Sequence, residues 1–110
     1  MELLLRFGTS NYTVLTETLD GISNGYPAMG VVNMDINEDD ACAAITVEVE
    51  DKDAFVESIK NASIEFSDLF QCVMDPGDGY KDLWVSPYYW LSGNYMGTWI
   101  KSKFRLMCEG

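Results

Sequence analysis

Met29-Gly30-Val31-Val32-Asn33-Met34-Asp35-Ile36-Asn37-Glu38-Asp39-Asp40-Ala41-Cys42-Ala43-Ala44-Ile45-Thr46-Val47-Glu48-Val49-Glu50 decides the fold. Residues 29–37 alternate: Val32, Met34 and Ile36 face one way, and Val31, Asn33 and Asp35 the other. Residues 42–50 alternate again, with Ala43, Ile45, Val47 and Val49 inward and Thr46, Glu48 and Glu50 outward. Side chains on a strand alternate faces, so two such runs around the polar turn Asn37–Asp40 predict an antiparallel hairpin.

Working outward, residues 42–50 lead into a helix. Asp51 or Asp53 can cap it, it runs to about Asn61, and Phe55, Val56, Ile59 and Ala62 form its apolar stripe, with Glu57 and Lys60 in water. A strand is expected over 64–74, closed by the turn cluster Asp75-Pro76-Gly77-Asp78-Gly79. Before the hairpin, residues 2–7 read as a strand with Leu3, Leu5 and Phe7 on one face. Residues 12–22 carry two signals. Tyr12, Leu15, Leu19 and Ile22 fall at helical spacing, Ser10 or Asn11 can cap the start, and Gly21 and Gly25 suit the end. Tyr12-Thr13-Val14 and Thr16 favour strand instead. The helical period covers all four apolar anchors, so helix is taken. A strand there would make a β-rich sheet with one helix.

The order strand, helix, strand, strand, helix, strand is that of an α+β, ferredoxin-like βαββαβ sandwich with both helices on one face of an antiparallel sheet. Residues 80–108 read as an added C-terminal β-hairpin. Leu83, Val85, Tyr88 and Trp90 lead to Ser92-Gly93-Asn94, and Met96, Ile100, Phe104, Leu106 and Cys108 share one face of the return strand. The chain of 110 residues suits one domain, 1–110. Its hydrophobic content of 47% and aromatic content of 13% exclude a disordered chain.

The net charge is −11 and the pI about 4.1. Such a field repels phosphate, so direct binding of nucleic acid is not expected. Histidine is absent, which removes Ser-His and Cys-His dyads and His-ligated metal sites. There is no phosphate-binding loop, dinucleotide fingerprint or G-x-S-x-G turn. Asp35-Ile36-Asn37-Glu38-Asp39-Asp40 starts like a calcium loop, but Asp40 stands where its glycine belongs and Thr46 where its bidentate Glu belongs. No enzyme, cofactor or resident metal is expected.

The N-terminal Met1-Glu2-Leu3-Leu4-Leu5-Arg6 lacks a signal peptide's pattern, and no apolar run approaches the ~20 residues needed to span a bilayer. Cys42, Cys72 and Cys108 form no C-x-x-C pair. A cytoplasmic protein with reduced thiols and no membrane contact is expected. Asn11-Tyr12-Thr13 and Asn61-Ala62-Ser63 then fit the glycosylation pattern by chance.

The charge is not spread evenly. Residues 1–80 hold 16 acids and 3 bases; residues 81–110 hold 2 acids and 4 bases. Between Asp35 and Glu57 stand Asp35, Glu38, Asp39, Asp40, Glu48, Glu50, Asp51, Asp53 and Glu57, opposed only by Lys52. Such a run is either a solvated face or a surface that meets a basic partner. Eight aromatics lie in residues 80–110, and of Tyr88, Tyr89 and Trp90 at least one must face away from the sheet, because neighbours on a strand alternate. Tyr and Trp anchor many interfaces, so these three join the nine acids as candidate partner-binding residues.

A small, acidic, histidine-free domain resembles phage-encoded inhibitors of host defence, such as anti-CRISPR or anti-restriction proteins. The resemblance rests on size and charge. It implies phosphate or DNA mimicry against a basic nucleic-acid enzyme, with the acids in place of phosphates. An immunity protein for a nuclease toxin would show the same features. Ile45–Asp51 followed by the Phe55–Ile59 helix is similar to the strand–helix unit of ACT-like small-ligand modules, without their Gly-rich turn. A homodimeric structural subunit joined through an open sheet face is a further alternative.

Overall fold

Asn11 resolves the segment with two signals. Its Oδ1 accepts a hydrogen bond from the Val14 amide at 3.2 Å, which satisfies one of the amides left unpaired at a helix start. A helix, α1, follows over Tyr12–Gly25 and buries Leu15, Thr18, Leu19 and Ile22. Tyr12, in the first turn, stays 63% exposed, so the apolar stripe has three of its four expected members. The buried Thr18 hydroxyl donates to the Val14 carbonyl at 2.8 Å and so carries no orphaned polar group into the core.

The computed structural model describes residues 1–62, 66 and 69–86. Around α1 stand β1 (Glu2–Phe7), β2 (Gly30–Asn37), β3 (Cys42–Glu48), α2 (Lys52–Ala62), β4 (Phe70–Asp75) and β5 (Lys81–Val85), with a 3-10 turn at Pro76–Asp78. The class is α+β: a five-stranded antiparallel sheet in the order β2-β3-β1-β4-β5, with two helices. The sheet departs from the expected four strands plus a separate hairpin. β5 pairs directly with β4 and continues the same sheet. Residues 87–110, which carry the rest of the expected hairpin, lie outside the described residues.

β4 is shorter than the strand expected over 64–74. β1 stops at Phe7, opposite Phe70, and beyond that pair the Gly8 amide donates to the Leu69 carbonyl at 2.8 Å; residues 63–65 and 67–68 lie outside the described residues. Phe66 instead leaves the sheet and packs edge-on against Phe70 at 5.8 Å. Phe70 also lies against Phe7 at 5.0 Å and stacks on Trp84 at 5.1 Å, so one ring joins β1, β4 and β5.

The main core lies between the helices and one sheet face. β1 gives it Leu3, Leu5 and Phe7, β3 gives Ala43, Ile45 and Val47, and α2 gives Phe55, Val56 and Ile59. The helices meet where Tyr26 packs edge-on to Phe55 at 5.3 Å and its hydroxyl accepts from the Asp51 amide at 3.2 Å. A smaller cluster of Leu4, Ala44, Cys72 and Met74 lies on the opposite face. Cys42 and Cys72 are buried thiols on β3 and β4, with β1 between them. Two strand spacings, ~9.6 Å, exceed the reach of a disulfide.

Three bulges interrupt the pairing among the described strands, and the one in β2 corrects the facing expected there. In β2 the register runs Val31 to Val47, then Asn33 to Thr46, so Val32 is the extra residue. Val31 therefore shares the helix side with Met34 and Ile36, while Asn33, Asp35 and Asn37 share the other. In β5 an extra residue at Leu83 puts Trp84 opposite Val73 and Val85 opposite Cys72. Leu83 and Val85 pack into different clusters.

Candidate acidic surface

The structure splits the nine acids into two groups at opposite ends of β3. Strands rise ~3.4 Å per residue, so Glu38, Asp39 and Asp40, in the loop before β3, stand roughly 20 Å from Glu48, and Asp35, opposite Ala44, roughly 14 Å from it. Both distances exceed the screening length of ~8 Å in physiological salt. The run that is continuous in sequence is therefore two surfaces.

At the α2 end, folding uses most of the acids. Glu48 pairs with the Met1 amino group at 2.5 Å. Asp51 caps α2, its Oδ1 accepting from the Ala54 amide at 3.0 Å. Asp53 lies in the first turn of α2, where the helix dipole favours negative charge. Lys52 turns away from these acids and reaches Asp75 at 3.6 Å. Asp75 is only 4% exposed, and its Oδ1 also accepts from the Gly77 amide at 2.9 Å. Glu50 and Glu57 stay exposed.

At the hairpin end the acids hold little in place. Asn37 and Asp40 make a local pair: the Asn37 Oδ1 accepts from the Asp40 amide at 3.0 Å, and the Asn37 Nδ2 donates to Asp40 Oδ2 at 3.3 Å. Asn33 donates to Asp35 Oδ2 at 3.1 Å. Among the described residues, Asp35, Glu38, Asp39 and Asp40 form no ion pair. Asp35, Ile36, Asn37, Glu38 and Asp39 line an open depression of about 440 Å³. The loop closes with Ala41 at φ 51°, a left-handed conformation that costs a non-glycine residue about 1 kcal/mol.

Two unit charges ~7 Å apart repel by about 0.6 kcal/mol in bulk water, and by less in salt. The hairpin group is thus tolerable, but its repulsion would fall if a cation entered the depression. Among the described residues, no three Cys, Asp or Glu side chains come together as metal ligands would. No helix among them is long and apolar enough to cross a membrane.

Tyr88, Tyr89 and Trp90 lie outside the described residues. The residues that alternation misses are on β2. Val31 and Val32 are 50% and 56% exposed, and Ile36 is exposed as well. Their composition matches that of a buried strand; nothing in it marks β2 as the outermost strand. Comparison of the chain with protein-family models, curated proteins and solved structures finds no match.

Proposed function

We propose that this chain is a small acidic binding protein that inhibits a basic protein partner, a nucleic-acid enzyme, by filling its substrate groove. Asp35, Glu38, Asp39 and Asp40 would take the positions of phosphates. The observation that carries this reading is the contrast between the ends of β3. At the α2 end Glu48 pairs, Asp51 caps and Asp53 complements the helix, whereas at the hairpin end Asp35, Glu38 and Asp39 line an open depression with no cation beside them among the described residues. A phage-type inhibitor of a host nuclease and an immunity protein for a nuclease toxin would both fit this reading. The partner is expected in the cytoplasm. We also read β1 to β4 with the two helices as a ferredoxin-like sandwich extended by β5. In support, the order β2-β3-β1-β4 makes each helical crossover skip one strand.

The test is inhibition of a panel of DNA-cleaving enzymes: restriction endonucleases, RNA-guided nucleases and nuclease toxins. Expected is inhibition of at least one, competitive with DNA and weaker at high salt. Inhibition that does not compete with DNA, or none across the panel, would overturn the reading.

A further inference from the structure

We infer that the β2 edge receives an extended, basic segment of the partner as an added strand. This rests on the basic-partner reading and deepens it by naming the mode of contact. β2 is the last strand on its side of the described sheet, and its eight residues offer ~27 Å of edge. An edge strand presents main-chain donors and acceptors that an incoming strand can pair with. The two sides of β2 then specify what that strand carries. Val31, Met34 and Ile36 line the helix side, and Asn33, Asp35 and Asn37 line the other. A segment beside β2 would place alternate residues on each side, so the fitting sequence alternates apolar and basic residues. Its basic side chains lie next to Asp35 and run toward Glu38 and Asp39, which border the depression.

Charge separates a basic partner strand from a second copy. A second copy would bring −11 against −11 at the same edge, with Asp35 and the hairpin acids of both chains crowded together. A basic strand suffers no such repulsion and gains from the same acids. The apolar exposure also has a use only if something covers it: Val31 and Val32 stand half in water beside paired polar residues.

The experiment titrates the isotope-labelled full chain with three synthetic peptides, followed by backbone amide resonances. One alternates Lys or Arg with Val over seven residues. The second is identical but N-methylated at alternate amides, which removes ladder donors and keeps charge and side chains. The third carries Glu in place of each Lys or Arg. Expected are resonance shifts confined to residues 30–40 with the basic peptide, affinity about tenfold lower after N-methylation, and no binding of the acidic peptide. Val32→Lys, a change at an exposed position, should also lower affinity about tenfold while the remaining resonances stay in place. Equal binding of the basic and N-methylated peptides would overturn strand addition and leave the basic-partner reading standing. Shifts centred elsewhere, self-association through residues 30–37, or no binding of the basic peptide at millimolar concentration would each overturn the inference, whereas the basic-partner reading is decided separately by the nuclease panel.

Discussion

The two ends of β3 carry similar charge and use it differently. Where β3 runs into α2, the chain must start a helix and close the sheet, and its acids serve those tasks. Asp51 supplies a missing acceptor, Asp53 faces the positive helix end, and Asp75 draws Lys52 away from its acidic neighbours. Where β2 turns into β3, a four-residue loop, 38–41, needs only the Asn37–Asp40 pair, and Glu38 and Asp39 are not required to hold it. Equal charge density in the sequence therefore does not mean equal availability. An acid committed to a cap or an ion pair gives up less when a partner arrives.

Substitutions can break or sharpen this contrast. Asp75→Ala should cost the most, about 2 kcal/mol, because it removes a buried carboxylate that accepts from the Gly77 amide and pairs with Lys52; urea unfolding would measure it. Asp51→Ala should cost about 1 kcal/mol through loss of the α2 cap, and amide exchange should speed up first at residues 52–54. Asp53→Asn should cost about 0.5 kcal/mol, shrinking in high salt. The hairpin pair Glu38→Gln and Asp39→Asn should leave stability within about 0.5 kcal/mol of the parent, or raise it. A loss as large as that of Asp51→Ala would show that the hairpin acids also serve folding, and the contrast would fail. Smallest of all, Ala41→Gly should raise the unfolding midpoint slightly, because relief of the left-handed alanine is nearly offset by glycine's extra freedom in the unfolded chain.

How far these features can be read from sequence depends on whether the signal is local. The α1 cap, the hairpin and the α2 stripe are set by residues within a few positions of one another, and Asn11, Asp51, Phe55 and Ile59 sit in the structure as their spacing implies. The bulges are not local. Val32, Gln71 and Leu83 become extra residues only because of where the neighbouring strand's partners fall, and one extra residue reverses every later facing. The same holds for the edge: Val31 and Ile36 look like core residues until the strand order puts nothing beyond β2 in the described sheet. The acidic run was visible as composition. Its division into two surfaces needed the length of β3, and the Lys52–Asp75 pair needed the approach of residues far apart in sequence.

The central claim is that the hairpin acids meet the partner and the α2-end acids do not. The most direct measurement compares two double variants against the DNA-cleaving enzyme that the parent inhibits most strongly. One is Glu38→Gln with Asp39→Asn; the other is Glu50→Gln with Glu57→Gln, which removes the same charge from exposed positions at the α2 end. Inhibition constants are measured at low and high salt, with circular dichroism confirming that both variants are folded. The hairpin variant should lose about tenfold or more in inhibition at low salt, and the α2-end variant less than about threefold. Equal losses would show that only net charge matters, and an unchanged hairpin variant would show that its acids are a solvated face.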